Sequence, residues 1–357
     1  MKLKRSSFRL TLALLALMAV SFSGLASVAG VSAQAKKVAN VAVIMPSAKT
    51  NLGWDQQAAD SLTAVGKKLG VTVEVSENGG YGDITPALKD LKSQGAQLII
   101  CHASGYQTTC PDFAAAENVM VAVIENPKAV KPNLVSDIET QAQEAAYLAG
   151  VAAGKMTKTG TVAIVASGQP PTWNYMAAGF AEGLKATNGS AKLLYSVLSG
   201  SDDPYSDAAG AKRVTEQAIS AGADIVFGMG DGASFGMIEA IRDHNKANAD
   251  KKAMFIDVIG DKSKDYADVL LTSVLFDYQG IYAAMINDAN AGTFGKTYTM
   301  DVKNGGVRLL DLPASVDQAT KDTVAAAQKG VVDGTIKVDA IGDADGLKAK
   351  LKALGYA

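Results

Sequence analysis

Two overlapping glycine patterns on one short stretch carry the sharpest chemical suggestions in this 357-residue chain. Gly228-Met-Gly230-Asp-Gly232-Ala233 fits the loose dinucleotide fingerprint, in which glycines let a pyrophosphate approach the backbone at a helix start. Gly232-Ala-Ser234-Phe-Gly236 fits the Gly-x-Ser-x-Gly elbow that exposes a nucleophilic serine. A third reading makes the same turn a ligand-facing loop of a two-lobed binding protein, with Asp231 and Ser234 near a helix N-terminus that favours polar or anionic groups.

The first two readings need partners that the chain does not supply. A serine hydrolase of this type needs an acid and then a histidine after the serine, and the sequence has only two histidines. His244 lies on what reads as the same helix as Ser234, ~15 Å away at 1.5 Å per residue. His102 precedes the serine, which breaks the chain order but not the geometry. The dinucleotide fingerprint belongs after the first strand of its unit with an acid about 20 residues on. Here it follows a third strand, and the next acids at a strand end are Asp257 and Asp261. His102, His244, Cys101 and Cys110 make no ligand-spaced metal cluster. No cofactor is expected.

What remains are polar and aromatic groups on loops that end strands: Asn51, Trp54 and Asp55; His102, Ser104 and Tyr106; Trp173 and Asn174; Asp231 and Ser234; Asp261 and Lys262. An aromatic face with carboxylates that accept hydroxyl hydrogen bonds suits a nucleoside or a sugar, since stacking is worth ~1–3 kcal/mol per base. Simple helix-to-sheet packing is the plainer explanation of each tryptophan. Against it, both open a helix at the equivalent place in two repeats.

The elements that must hold these groups alternate short β-branched runs with longer helical patterns, the grammar of parallel βαβ units. Val41–Met45, Val71–Val75, Ala96–Cys101 and Met120–Ile124 read as strands, with helices over 54–69 and 84–94 and another before Met120. The same order restarts at Thr161–Val165, with helices over 173–186 and 207–220 and strands over 192–198 and 223–229. Gln94–Ile100 aligns with Ala221–Phe227 at an offset of 222 − 95 = 127 residues. Two similar α/β units predict two lobes, with ligand at the carboxyl ends of the strands, in loops 46–55, 102–107, 167–175 and 228–234. One continuous twelve-strand sheet is the alternative, disfavoured because sheets that large tend to split. Later, Val269–Val274, Tyr298–Lys303, Val307–Leu310 and a strand over Gly334–Val338 must complete lobes begun earlier.

Composition limits the function classes. With 48% hydrophobic and 20% charged residues the chain can bury a sizeable core. Lys2, Lys4, Arg5 and Arg9, the apolar run Leu10–Val20 and Ala33-Gln-Ala35 read as a secretory signal peptide over 1–35, with an uncleaved anchor as the alternative. Cleavage moves the formal charge from −2 to −2 − 4 = −6, which argues against nucleic acid as a partner. No cysteine stands near the cleavage site to carry a lipid. Cys101 and Cys110 could pair across a short loop in an oxidising compartment.

Several pieces together resemble the basic membrane protein family of ABC-transporter substrate-binding proteins, in the PnrA-like purine nucleoside receptor group. They are Leu52-Gly-Trp54-Asp55, Glu144-Ala-Ala-Tyr-Leu-Ala-Gly-Val-Ala-Ala-Gly154, Ala178-Gly-Phe-Ala-Glu-Gly183, Gly222-Ala-Asp-Ile-Val226, Val258-Ile-Gly260, Leu271-Thr-Ser-Val274 and Lys303-Asn-Gly-Gly-Val307. The resemblance implies a type I periplasmic-binding α/β fold, two Rossmann-like lobes joined by three crossings. It implies lobe 1 from 36–137 with about 262–303, and lobe 2 from about 138–261 with 304–357. It also implies export to the periplasm or outer face of the plasma membrane, a monomer, and delivery of a nucleoside to an ABC permease. Trp54 matches the stacking aromatic, Asp55 stands where asparagine is usual, and Asp137 falls near the first crossing. The family's Gly-Val-Asp-Ser, whose aspartate binds ribose hydroxyls, reads Gly260-Asp261-Lys262-Ser263 here, and Thr50 and Asn51 replace an acid. A different nucleoside, a free base or a sugar therefore stays open as ligand.

Overall fold

Aliphatic and β-branched runs are buried on both faces when helices cover a parallel sheet. The computed structural model describes residues 37–356, so the expected signal peptide lies outside the described residues. The first βα series is β1 (Asn40–Ile44), α1 (Trp54–Leu69), β2 (Thr72–Ser76), α2 (Thr85–Ser93), β3 (Leu98–Cys101), α3 (Thr109–Glu117), β4 (Met120–Ile124) and β5 (Val135–Thr140). The second is α4 (Ala142–Met156), β6 (Thr161–Ala166), α5 (Pro171–Thr187), β7 (Lys192–Val197), α6 (Ala208–Ser220), β8 (Ile225–Met229), α7 (Ser234–Ala247), β9 (Met254–Ile259), α8 (Ser263–Tyr266) and β10 (Leu270–Phe276). Then come α9 (Gln279–Ala291), β11 (Thr297–Met300), β12 (Val307–Leu309), α10 (Gln318–Val332) and α11 (Ala344–Ala353).

There are two separate six-stranded sheets, in the orders β2-β1-β3-β4-β5-β11 and β7-β6-β8-β9-β10-β12. Position by position the two orders correspond, so the repeat read in the sequence is a repeat of topology, with β3 and β8 in equivalent places. The twelve-strand alternative is excluded. All pairs are parallel except β10 with β12, which is antiparallel.

The chain passes between sheets after β5, after β10 and between β11 and β12. This moves one expected boundary: 262–276 belongs with the second sheet, not the first, because β10 pairs with β9 on one side and β12 on the other. A fully buried run such as Leu270–Phe276 needs neighbours on both edges. Asp137 lies inside β5, between β4 and β11, close to where the chain first passes to the second sheet. Gly334–Val338 forms no strand; Ile336 N–H instead donates back to the Gly330 carbonyl at 2.9 Å, closing the end of α10.

Two of the motifs that carry the resemblance serve packing. A Cβ on Gly150 of α4 would sit 2.1 Å from the Phe180 carbonyl oxygen, and one on Gly183 of α5 would sit 2.0 Å from that of Tyr147. The backbones of α4 and α5 therefore touch directly, and only glycine permits it. Among the described residues no helix is long and apolar enough to cross a membrane.

Candidate ligand site between the lobes

Parallel strands end together, so the loops that follow them converge at one edge of each sheet. The two carboxyl edges face each other across a cavity of about 490 Å³. Its wall takes residues from the loops after β1, β2, β3 and β4, from the matching loops after β6, β7 and β8, and from the last residue of β9. On the first side these include Ser47, Trp54, Asp55, Tyr81, Ser104 and Glu125; on the second, Thr172, Trp173, Asp203, Tyr205, Asp231 and Ile259. That volume lies within the ~300–1,000 Å³ usual for small-molecule pockets.

Trp54 opens α1 and is fixed by a reciprocal pairing with His102. The rings stack with centroids 4.4 Å apart at 26°. The indole N–H donates to the His102 carbonyl at 3.3 Å, and His102 Nε2 lies 3.1 Å from the Trp54 carbonyl. A carbonyl only accepts, so Nε2 carries the hydrogen and Nδ1, which is buried and has no partner, is bare. Burial pushes the imidazole pKa down to about 3, so the ring is neutral. On the other side Trp173 meets Tyr205 edge-on, centroids 5.3 Å apart at 73°.

Carboxylates join the lobes. Asp231 accepts the Trp54 backbone N–H at 3.1 Å, and the Asn51 amide bridges it at 3.3 Å to Asp55 at 2.8 Å. Burial first, and the Asp55 charge second, raise the Asp231 pKa to about 7. Asp55, which also accepts from Ser47 N–H at 3.2 Å, is raised by burial. Glu125 accepts from the Thr172 hydroxyl across the cleft and from Ser104 Oγ at 3.2 Å, and burial raises it too. Each lobe thus sends a strand-end carboxylate to the start of the other lobe's leading helix, α1 or α5, where the dipole favours negative charge. Glu125 (φ 57°) and Asp231 (φ 52°) both sit in left-handed backbone, as do Leu52 (φ 52°) and the β-branched Ile259 (φ 71°). Such strain costs ~1–3 kcal/mol per residue and concentrates at binding sites.

Of the residues picked from the sequence, Trp54, Asp55, Ser104, Trp173 and Asp231 line this cavity. The others do not. His102 is buried behind Trp54, and Asn51 ties Asp55 to Asp231. Asn174 donates to the Gln169 and Gly342 carbonyls, both at 3.0 Å. Asp137 is buried in β5, accepting from Asn126 N–H at 2.7 Å. Asp261 is exposed and caps Ser263 N–H at 2.8 Å. Lys262 is buried against Asp257 at 2.6 Å and donates to the Leu52 carbonyl at 3.0 Å, so it bridges the lobes without reaching the cavity. Ser234 Oγ donates to Asp257 at 3.1 Å, while His244 Nε2 contacts the Lys251 carbonyl and His102 the Trp54 carbonyl. No histidine serves the serine, and the hydrolase arrangement is not assembled. Cys101 and Cys110 form a disulfide, Cα atoms 6.6 Å apart, directly behind the loop of Ser104.

Glu125, Tyr81 and Tyr205 lie outside the loops expected from the sequence, and Thr172 lies within the expected loop 167–175 without being singled out there. The strand-end rule, applied to β2, β4 and β7 as it was to the others, points to the loops of the first three.

The Bmp family model, described as ABC transporter substrate-binding protein PnrA-like, matches residues 38–341. The chain belongs to this family. The nucleoside-binding protein BmpA of an ABC transporter in Lactococcus lactis is 28% identical, covering 90% of this chain and 97% of that protein. The transcriptional activator protein med of Bacillus subtilis is 25% identical, covering 81% and 87%. A crystal structure of an ABC solute-binding protein from Aeropyrum pernix superposes with a TM-score of 0.76 at 18% identity, covering 89% of this chain and 97% of that one. That likeness supports the periplasmic-binding fold. As a Bmp-family protein the chain is a substrate-binding component of an ABC system, a class that takes a small ligand and presents it to a permease.

Proposed function

We propose that this Bmp-family protein is an exported receptor that closes its lobes on a nucleoside and delivers it to a membrane permease. One observation carries the reading: the interlobe cavity combines flat aromatic walls with five carboxylates, Asp55, Glu125, Asp202, Asp203 and Asp231, and no lysine or arginine. Aromatic faces suit a base, and carboxylates suit donors on a ribose or an exocyclic amine. A cavity without a cation suits neither a phosphate nor a carboxylate ligand. The likeness over nearly the full chain to a protein named as nucleoside-binding points the same way.

Trp54 and Trp173 form opposing walls, Asp231 and Glu125 close the lobes, and the three crossing segments absorb the hinge motion. The test is calorimetry and thermal shift against a panel of nucleosides, bases, pentoses and nucleotides. A ligand at 100 times its Kd stabilises the closed form by ~2.7 kcal/mol. Heat and stabilisation with nucleosides alone support the reading; binding only to sugars or free bases replaces the ligand, and tight nucleotide binding refutes the charge argument.

A further inference from the structure

We propose that Tyr81 is a ligand-contacting lid of the cleft, setting how long a bound nucleoside is held; this rests on the nucleoside reading above. Tyr81 is 66% exposed, and with Val332 it is one of two exposed large apolar side chains among the described residues. It nevertheless belongs to the cavity wall. An aromatic ring left in water at the rim of a cavity has apolar surface to cover, and a ligand base beneath it would cover that surface.

The loop is built to hold its stem and free its tip. Gly79 and Gly80 N–H groups donate to the Met45 and Pro46 carbonyls at 2.9 and 3.0 Å, and the Tyr106 hydroxyl donates to the Gly80 carbonyl at 2.6 Å. Beyond that anchor Tyr81 is flanked by Gly80 and Gly82, around which a Cβ would meet nothing within 4 Å. The ring rests across Gly105, where a Cβ would fall 2.8 Å from its Cδ1.

The repeat supplies an independent argument. Tyr81 follows β2 and Tyr205 follows β7, the equivalent strand of the other lobe, just as Trp54 and Trp173 open equivalent helices. Tyr205 is already packed against Trp173, whereas Tyr81 has no aromatic partner among the described residues. Trp54, Trp173 and Tyr205 are each held on one side by an aromatic partner and offer the cavity a fixed wall, whereas Tyr81 is held by none among the described residues and can move onto a ligand.

The experiment uses full-length mature protein, with inosine and uridine as probes, and stopped-flow tryptophan fluorescence with calorimetry as readouts. Tyr81→Ala should speed dissociation and weaken binding by about 10–100-fold, the span of one base stack, with association little changed. Tyr81→Phe should stay near wild type. Gly105→Ala, which displaces the ring while leaving its loop intact, should also speed dissociation. Unchanged ligand-free melting would show that each variant folds. Dissociation from Tyr81→Ala within twofold of wild type overturns the lid while leaving the nucleoside reading standing. Wild-type protein that binds neither probe overturns that reading and the lid with it.

Discussion

The carboxylate of Asp231, in the second lobe, accepts the backbone N–H of Trp54, the first residue of α1 in the first lobe, at 3.1 Å. The contact joins the two lobes, so the proposed opening of the cleft would break it, and it places Asp231 beside Asp55, with Lys262 and Asp257 as the other nearby charges. In the open protein Asp231 should titrate near an ordinary aspartate, ~3.9; closed, it titrates at about 7. A raised pKa means that the closed form binds more protons between these values. Closure is thus least opposed by this group at low pH, loses ground as pH rises from about 4, and carries the full penalty above about 7. Ligand affinity should be higher at pH 5 than at pH 8. Asp231→Asn, which keeps an acceptor for the Trp54 N–H and removes the charge, should flatten that dependence; calorimetry at several pH values would measure both.

Trp54→Ala should weaken ligand binding by ~1–3 kcal/mol through lost stacking. It also uncovers the His102 ring and removes the donor to the His102 carbonyl, so some thermal stability should go with it. Trp54→Phe separates the two effects: it keeps a stacking face and loses the indole N–H. Affinity near wild type with a lowered melting temperature is the expected pattern for Trp54→Phe, and an affinity loss equal to that of Trp54→Ala would argue against stacking.

The layout of the fold was legible because its signals are local. β-branched runs, helix periods and the aligned Gly95 and Gly222 turns each depend on a few neighbouring residues, and the equivalence of Trp54 and Trp173 follows from them. Which way a side chain turns at a strand end is decided by partners distant in sequence. Lys262 has the sequence position of a cleft residue, yet Asp257 and the Leu52 carbonyl hold it inward. His102 directly follows β3 at the cleft and is turned under Trp54. Glu125, a single acid before Asn126-Pro127, carries no local signal that sets it apart from other loop acids. Its role depends on Thr172, 47 residues away.

Lys262 and Asp257 form an ion pair with both side chains fully buried. Lys262→Met should destabilise the protein by ~3–5 kcal/mol, because it leaves Asp257 charged and buried with only Ser234 as donor. Adding Asp257→Asn should recover part of that loss in thermal melts. If Lys262 instead contacted the ligand, the double variant would recover stability while ligand affinity stayed low by orders of magnitude. The structure predicts a smaller affinity loss, confined to the lost bridge to the Leu52 carbonyl.

The disulfide between Cys101 and Cys110 closes a loop with a sequence separation of 9, and that loop carries both His102 and Ser104. Chain entropy for a loop of this size is worth ~2–3 kcal/mol. Both cysteines are fully buried, so reductant added to the folded protein should act slowly, at the rate of local opening. Cys101→Ala with Cys110→Ala should lower the melting temperature. Because His102 backs the Trp54 ring and Ser104 donates to Glu125, the same variant should weaken ligand binding more than its distance from the cavity suggests. Equal affinity in the disulfide-free variant and wild type would mean that packing of Ala103 and Tyr106 alone holds the loop in place.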